Sequence, residues 1–429
     1  MRHPNRQRDA APVCERGPVT ASIWYITKYI GLPSIGRGGT RSFLLMREMA
    51  RLGHRCVMIT SDSNHLTDPP VFAERDLVER VDDVDICWLK TRKYKGAQSL
   101  GRMLSWLDFE WRLLRMPKRR FPKPDVVVVS SLSLFTILNG LWLKRKFGCR
   151  LVFEVRDIWP LTLIEEGGFS PRNPLIRVMG WIERLGYRRA DAVIGTMPNL
   201  VQHVDEQLGD DHAPVHCVPF GIDPENLTGN QPLPSEWVER LVPKDKFIVC
   251  HAGTIGTTNA LDTLISCARE MEAQDDVHFL IVGEGGLRER YERECQDLAN
   301  ITFTGPVPKQ MVQSVASNCD LMYFSALKSR VWQYGMSLNK VVDYMLAGKP
   351  ILGSYSGFRT MVEDAGAGSV VPAGDVGKLR VEIERYLAMS REQREQIGRR
   401  GRAWMLENRT YARLADDYLR IALPDDAAV

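Results

Sequence analysis

One pattern limits what this chain can fold into: from Ser22 onward, short runs of apolar and β-branched residues alternate with amphipathic segments of helical period. The runs at 22–27, 55–60, 85–90, 126–130, 150–154, 192–195 and 215–218 are mostly continuous, VVVVS at 126–130 being the clearest. Continuous runs belong to strands covered on both faces, which predicts buried, parallel strands joined by helices such as 40–51, ending at Gly53, and 175–188. The stretch 218–236, VPFGIDPENLTGNQPLPSE, is rich in Pro, Gly and Asn without an apolar period, so it reads as a linker. A second series follows, with strands at 247–251, 278–282, 301–304, 321–324, 350–353 and 369–372. Helical patterns at 260–273, 287–298, 309–317, 339–346 and 376–387 alternate with them.

The expected fold class is therefore α/β, two Rossmann-like, doubly wound domains facing a central cleft. The expected boundaries are a disordered tail at 1–20, a first domain at 21–225, a linker at 226–236, a second domain at 237–408, and a final helix and tail at 409–429. A length of 429 residues agrees, because domains usually hold roughly 100 to 200 residues. A formal charge of +4 is too small for this size to imply nucleic-acid binding. Nine Cys without a CxxC pair argue for reduced thiols in a cytoplasmic protein rather than a disulfide framework or structural zinc site. No run of about 18 apolar residues offers a membrane span, and the first twenty residues lack the apolar stretch of a secretory signal. Segment 101–125 combines Trp106, Phe109, Trp111 and several leucines with Arg115, Lys118, Arg119, Arg120 and Lys123. It suits either peripheral contact with an anionic membrane face or a buried helix followed by a solvated basic loop.

Seven motifs then occur in a recognisable order. HAGTIG at 251–256, IVGEGGLRERYE at 281–292, ITFTGPVPKQ at 301–310 and SLNKVVDYMLAGKPIL at 337–352 follow VPFGIDP at 218–224. In the first half stand ITKYIGLPSIGRGGTRSFLLMREMARLGHRCVMITS at 26–61 and VFEVRDIWPLT at 152–162. Together they resemble the retaining enzymes of glycosyltransferase family 4, and within it the subgroup that builds bacterial surface polysaccharides by transferring amino or deoxy sugars. The resemblance implies a GT-B fold in which the second half holds a nucleotide-sugar donor and a last helix, 410–423, crosses back to the first domain. It also implies transfer of a hexosyl or N-acetylaminosugar from a UDP-sugar to a polyprenyl-diphosphate-linked or other glycan acceptor, with retention. No cofactor is expected, the nucleotide sugar being a substrate, and transfer is expected to be metal-independent. The DxD at 83–85 lies far along the chain from the donor motifs.

Within the second half, Gly253, Thr254 and Gly256, with Thr257 following, form a loop after a buried strand and before a helix expected near Ala260. Such a loop either cradles a diphosphate or is a plain tight turn. Many relatives place an Arg and a Lys here; this chain has Thr254 and Asn259, so Lys340 is the expected cation, with Arg330 or Lys328 as further candidates. Relatives commonly carry two glutamates, of which Asp343 fills the second place, as acceptor of ribose hydroxyls, while Gly335 leaves the first without an acid. Ser337 and Asn339 either hold sugar hydroxyls or cap the next helix. Backbone near Val307 is expected to meet the base edge. GEGG at 283–286 passes near the nucleotide or is an exposed turn.

In the first half, Gly38 and Gly39 make a loop expected to close over the donor diphosphate, with Arg41 as an acceptor or anion contact. Asp157, beside Arg156 at the end of an expected strand, is the candidate to orient or deprotonate the acceptor hydroxyl; the competing reading is an internal Arg156–Asp157 pair. Other classes remain open at this point. A UDP-sugar 2-epimerase would gather carboxylates and histidines at the cleft, but the eight His are scattered. An NAD-dependent oxidoreductase would open with a complete GxGxxG, which is missing. A UDP-sugar-binding pseudoenzyme would fit the missing acid.

Overall fold

The computed structural model describes residues 20–33, 39–64, 69–94, 100–225 and 230–424. Residues 1–19 of the expected tail, Gly38, linker residues 226–229 and residues 425–429 of the final segment therefore lie outside the described residues. The first sheet comprises β1 (Ser22–Ile26), β2 (Arg55–Ser61), β3 (Asp76–Val81), β4 (Val84–Leu89), β5 (Val126–Ser130), β6 (Arg150–Val155), β7 (Ala192–Gly195) and β8 (Val215–Cys217). Its order is β3-β4-β2-β1-β5-β6-β7-β8. The second comprises β9 (Phe247–Ala252), β10 (Val277–Val282), β11 (Ile301–Gly305), β12 (Leu321–Ser325), β13 (Ile351–Ser354) and β14 (Gly368–Val371), in the order β11-β10-β9-β12-β13-β14.

Helices cover both sheets. Those of the first half are α1 (Arg41–Arg51), α2 (Leu100–Arg115), α3 (Thr136–Phe147), α4 (Leu161–Glu165), α5 (Pro174–Arg189) and α6 (Leu200–Leu208). After them come α7 (Ser235–Leu241), α8 (Asp262–Glu270), α9 (Arg288–Glu294), α10 (Val312–Ser317), α11 (Asn339–Leu346), α12 (Met361–Asp364), α13 (Val376–Leu387), α14 (Arg391–Asn408) and α15 (Tyr411–Ala422).

The continuous apolar runs have the predicted cause. Side chains alternate across a strand, and here both faces are dry. Trp24 and Ile26 join Val57, Ile59, Val127 and Val129 on one side of the first sheet; Ile23 and Tyr25 join Cys56, Met58, Val126 and Val128 on the other. Each such side chain contributes about 1.5–3 kcal/mol on burial, so covering both faces is the main force shaping the sheet.

All strand pairs are parallel except β3–β4. β3 was not among the expected strands: DLVERV alternates apolar and charged residues, as suits an edge with one wet face. Asp83 and Asp85, at the β3–β4 turn, both pair with Arg80, which accounts for the DxD locally.

The helix α15 lies against α1. Its Tyr411, Leu414, Ala415, Tyr418 and Ala422 fill the same core as Phe43, Leu45 and Met49. An isolated bridge between Ile222 and Thr410 ties the two places where the chain passes between the sheets. In each sheet the order reverses beside the first strand, between β1 and β5 and between β9 and β12, where strand carboxyl ends open crevices for ligands.

Candidate active site

The second crevice gathers most of the expected donor residues. Gly253, Thr254 and Gly256 leave the end of β9, with the backbone NH of Gly253 bonded to the Val282 carbonyl and that of Ile255 to the Glu284 carbonyl at 2.9 Å each. Any Cβ at Gly283 would overlap the Gly253 carbonyl oxygen, and one at Gly285 the Ile255 carbonyl. The GEGG glycines thus let two loops lie backbone to backbone.

The loop does not run straight into a helix at Ala260: a short turn, Thr257–Asn259, and a left-handed Ala260 intervene, and α8 begins at Asp262. The carboxylate of Asp262 stands at that helix end and accepts from the Tyr291 hydroxyl at 2.8 Å. The helix whose first turn faces the glycine loop is instead α11.

That helix is placed by its apolar side. Val341, Val342, Tyr344, Met345 and Leu346 are buried, and the Tyr344 hydroxyl exchanges hydrogen bonds with the Ala252 backbone at 2.8 and 2.9 Å, tying α11 to the strand that feeds the loop. Asn339, Lys340 and Asp343 occupy its opposite, less buried side. Lys340 Nζ donates to Asn259 Oδ1 and lies 3.5 Å from where a Cβ on Gly253 would be. No carboxylate among the described residues pairs with it, and burial alone pushes its ammonium down to about 8. Next to it His251 is fully buried; burial and then the Lys340 charge push it down to about 3, so it is neutral at neutral pH. A partly dehydrated cation against half-buried glycine backbone is a place for an anion.

Asp343 is held differently from the expectation of a free acceptor. Lys309, from the VPKQ turn, donates to its Oδ2; burial raises the carboxyl and Lys309 opposes that rise. The other oxygen, Oδ1, has no hydrogen-bond partner among the described residues. Val307 stands half-buried in the same turn.

The capping reading of Ser337 and Asn339 is not what forms: the N-cap of α11 is Leu338, with no side-chain bond to the helix. Gly335 has φ +108, and a Cβ on it would overlap Pro198 Cδ, so this position has no room for the acid that relatives carry. Arg330 is also committed, 3.1 Å from Glu206.

In the first half Arg41 is not the anion contact that the sequence suggests. It is fully buried, forms an ion pair with Glu154 at 2.8 Å and donates to the carbonyls of Val218 and Pro219, so it is closed to a ligand. Burial opposes both charges, but their attraction holds Glu154 below and Arg41 above the ordinary range. Gly39 packs tightly, with a Cβ there only 2.8 Å from Phe43. Arg156 and Asp157 do not pair with each other: the Arg156 guanidinium lies over the Phe220 ring at 4.9 Å, and Ser131 Oγ accepts from the backbone NH of both residues at 2.9 and 3.3 Å. Three residues on, Pro160 lines a cavity of about 670 Å³ with Ile164, Trp181, Arg177, Arg184 and His203.

A buried cluster at the end of β1 escaped sequence reading. Lys28, fully buried, donates to Ser105 at 2.9 Å and is pushed down to about 8 by burial. Nearby Glu110 accepts from Ser133, Thr136 and Asn139, yet burial pushes it up to about 7. A lysine inside the apolar run IWYITKYIG was the available signal. Segment 101–125 divides: Trp106 and Phe109 are buried, whereas Leu104, Leu107, Trp111 and Leu114 form an exposed stripe on α2.

The comparisons fit this architecture. Residues 38–221 match the glycosyl transferase 4-like domain and residues 246–389 match glycosyl transferases group 1. No curated protein sequence matches the chain. Among solved structures it is similar to sucrose-phosphate synthase of Thermosynechococcus elongatus, with 17% identity, TM-score 0.67, and coverage of 95% of this chain and 100% of that one. It is similar to the trehalose-6-phosphate protein of E. coli bound with UDP-2-fluoro glucose, with 10% identity, TM-score 0.71 and coverage of 94% and 99%. It is also similar to HepE of Anabaena in complex with UDP-glucose, with 14% identity, TM-score 0.60 and coverage of 92% and 98%. With a glycosyl transferase 4-like domain in its first half and a group 1 domain in its second, joined in one fold, the chain is a glycosyltransferase of the GT-B type.

Proposed function

We propose that the chain transfers a hexosyl or N-acetylaminosugar from a UDP-sugar to a polyprenyl-diphosphate-linked or other glycan acceptor in surface-polysaccharide synthesis. The observation that carries this reading is Lys340, a half-buried ammonium without a carboxylate partner among the described residues, set against Gly253. A diphosphate there would be held by the backbone NH groups of Thr254, Gly256 and Thr257 and by Lys340, with the free Oδ1 of Asp343 toward the ribose and Val307 toward the base. As the bond from the sugar to the diphosphate breaks, negative charge grows on the leaving oxygen, which Lys340 stabilises without a metal ion. The acceptor oxygen then bonds to the same face of the sugar, giving retention. Its proton passes to the leaving phosphate or to Asp157. Ser337 and Asn339 take sugar hydroxyls. UDP is favoured as the carrier because two similar folds bind UDP-sugars, in the E. coli and Anabaena structures.

A lipid-linked acceptor is supported by the stripe of α2. Arg115 stacks on the exposed Trp111 at 4.1 Å, and on α3 Lys146 lies 4.5 Å over Trp142, so exposed aromatic rings and cations occur together, as at an anionic membrane face. The described residues contain no helix long and apolar enough to cross a membrane, so contact of this kind is peripheral. The test is calorimetric titration with UDP, GDP, ADP and NAD in the presence of EDTA, on the unaltered chain, Lys340→Ala and Asp343→Ala. Selective UDP binding, weakened at least tenfold in Lys340→Ala, is expected. Preference for NAD, or indifference to both substitutions, overturns the reading; UDP binding without turnover of any UDP-sugar would favour a pseudoenzyme.

A further inference from the structure

The turn Arg330–Tyr334 follows β12 and so belongs by chain order to the second sheet, yet Val331 and Tyr334 lie in the core of the first half with Met197 and Leu200. Tyr334 is fully buried. Its hydroxyl donates to Glu206 Oε2 at 2.6 Å, and Arg330 reaches the same oxygen at 3.1 Å. Its carbonyl accepts from the backbone NH of Asn199 at 2.9 Å, and its ring meets His203 edge-on at 4.9 Å between centroids. The next residue is Gly335, pressed onto Pro198. This is a plug in a socket: one ring fills the space, and hydrogen bonds to α6 and to the residue before it fix its depth.

The plug lies immediately before the donor segment. Only Gly335 to Leu338 separate Tyr334 from the first residue of α11, and Lys340 is the second. From its other end α11 is tied to β9 through Tyr344. The residues between are thus held at one end by the first domain and at the other by the second.

We infer that Tyr334 and Glu206 form an interdomain latch that positions the donor-binding segment from Ser337 to Lys340, so that donor affinity depends on a carboxylate of the acceptor-side domain. Both are positioning residues; neither touches the donor. The inference rests on the reading of the second crevice as a nucleotide-sugar site. If the latch releases, the segment is tethered at α11 alone, and Lys340 loses its fixed place beside Gly253.

The test uses Tyr334→Phe, which keeps the ring in its socket and removes the hydroxyl, Glu206→Gln, and the double variant. UDP affinity is read by calorimetry, and backbone exchange over 336–342 by hydrogen–deuterium mass spectrometry, with Lys340→Ala as control. Each single variant is expected to weaken UDP binding about tenfold and to speed exchange over 336–342, with a fall in melting temperature of no more than a few degrees. The double variant should be no worse than either single one, since a shared bond is lost once. A merely structural contribution would instead lower the melting temperature and leave UDP affinity and exchange over 336–342 in the folded protein unchanged. UDP affinity within twofold of the unaltered chain in Tyr334→Phe, while Lys340→Ala abolishes binding, overturns the latch and leaves the donor site standing. If the unaltered chain does not bind UDP, the donor reading fails, and exchange over 336–342 decides the latch: faster in Tyr334→Phe upholds it, unchanged overturns it.

Discussion

Raising the pH from 7 to 9 should weaken UDP binding about tenfold, and Lys340 is the reason. Its ammonium titrates at about 8 in the unliganded chain, down from the usual 10.5, because burial penalises the charge and no carboxylate offsets it. A bound diphosphate supplies that missing opposite charge and returns the group to about its ordinary range or above. Binding above pH 8 therefore requires proton uptake. With a free value near 8 and a bound value of about 10.5 or more, uptake is roughly 0.1 proton at pH 7 and 0.9 at pH 9. The terminal phosphate of UDP is essentially fully ionised above pH 7, its second step lying at about 6. Nearby groups do not titrate in this window. His251 is neutral from about 3 upward, and Tyr344 is held far above its usual range by burial. The uptake is measured by titrating UDP in buffers of different ionisation enthalpy. Lys340→Arg should bind with a flat profile from pH 7 to 9, because a guanidinium keeps its charge. A flat profile in the unaltered chain, or a tenfold slope surviving in Lys340→Met, would refute the argument. Stability runs with the opposite sign: the folded chain holds this proton less tightly than the unfolded one, so without ligand stability rises as pH climbs from 8 towards 10.5.

Two further outcomes are expected. Arg41→Met should leave Glu154 buried and unpaired and cost about 3–5 kcal/mol, seen as a large fall in melting temperature, with UDP affinity of the surviving folded protein unchanged; a drop in affinity without loss of stability would restore Arg41 as an anion contact. Gly283→Ala should displace the Gly253 carbonyl and reduce UDP binding more than tenfold, while Gly286→Ala, where a Cβ meets nothing within 4 Å, should leave it intact; equal effects would show that loop contact does not shape the cradle.

What the sequence made legible was whatever depends on neighbours in the chain. The runs VVVVS and LVFEV announced strands covered on both faces, and the doubly wound fold followed from their alternation with helical segments. β3 was missed because DLVERV is short, half wet and rich in charge. The reading of Arg41 failed for a different reason: an arginine after two glycines looks like an anion contact until Glu154, 113 positions away, is placed beside it. The same holds for Tyr334 and Glu206, separated by 128 positions, and for Lys309, whose bond to Asp343 no local pattern suggests. Lys340 and Gly253 were legible as types, but their proximity was not.

The packing of α15 on α1 reverses the order in which the two halves can be completed during synthesis. The second sheet has a core built from residues 222–405, all of it available before α15 is made. The first sheet, although translated earlier, leaves Phe43, Leu45 and Met49 uncovered until Tyr411, Leu414 and Tyr418 arrive. A ribosome-bound chain thus carries an apolar strip on the earlier-made of these two domains until α15 emerges, a period in which chaperone contact is most needed. A helix translated after both sheets is what seals the first domain.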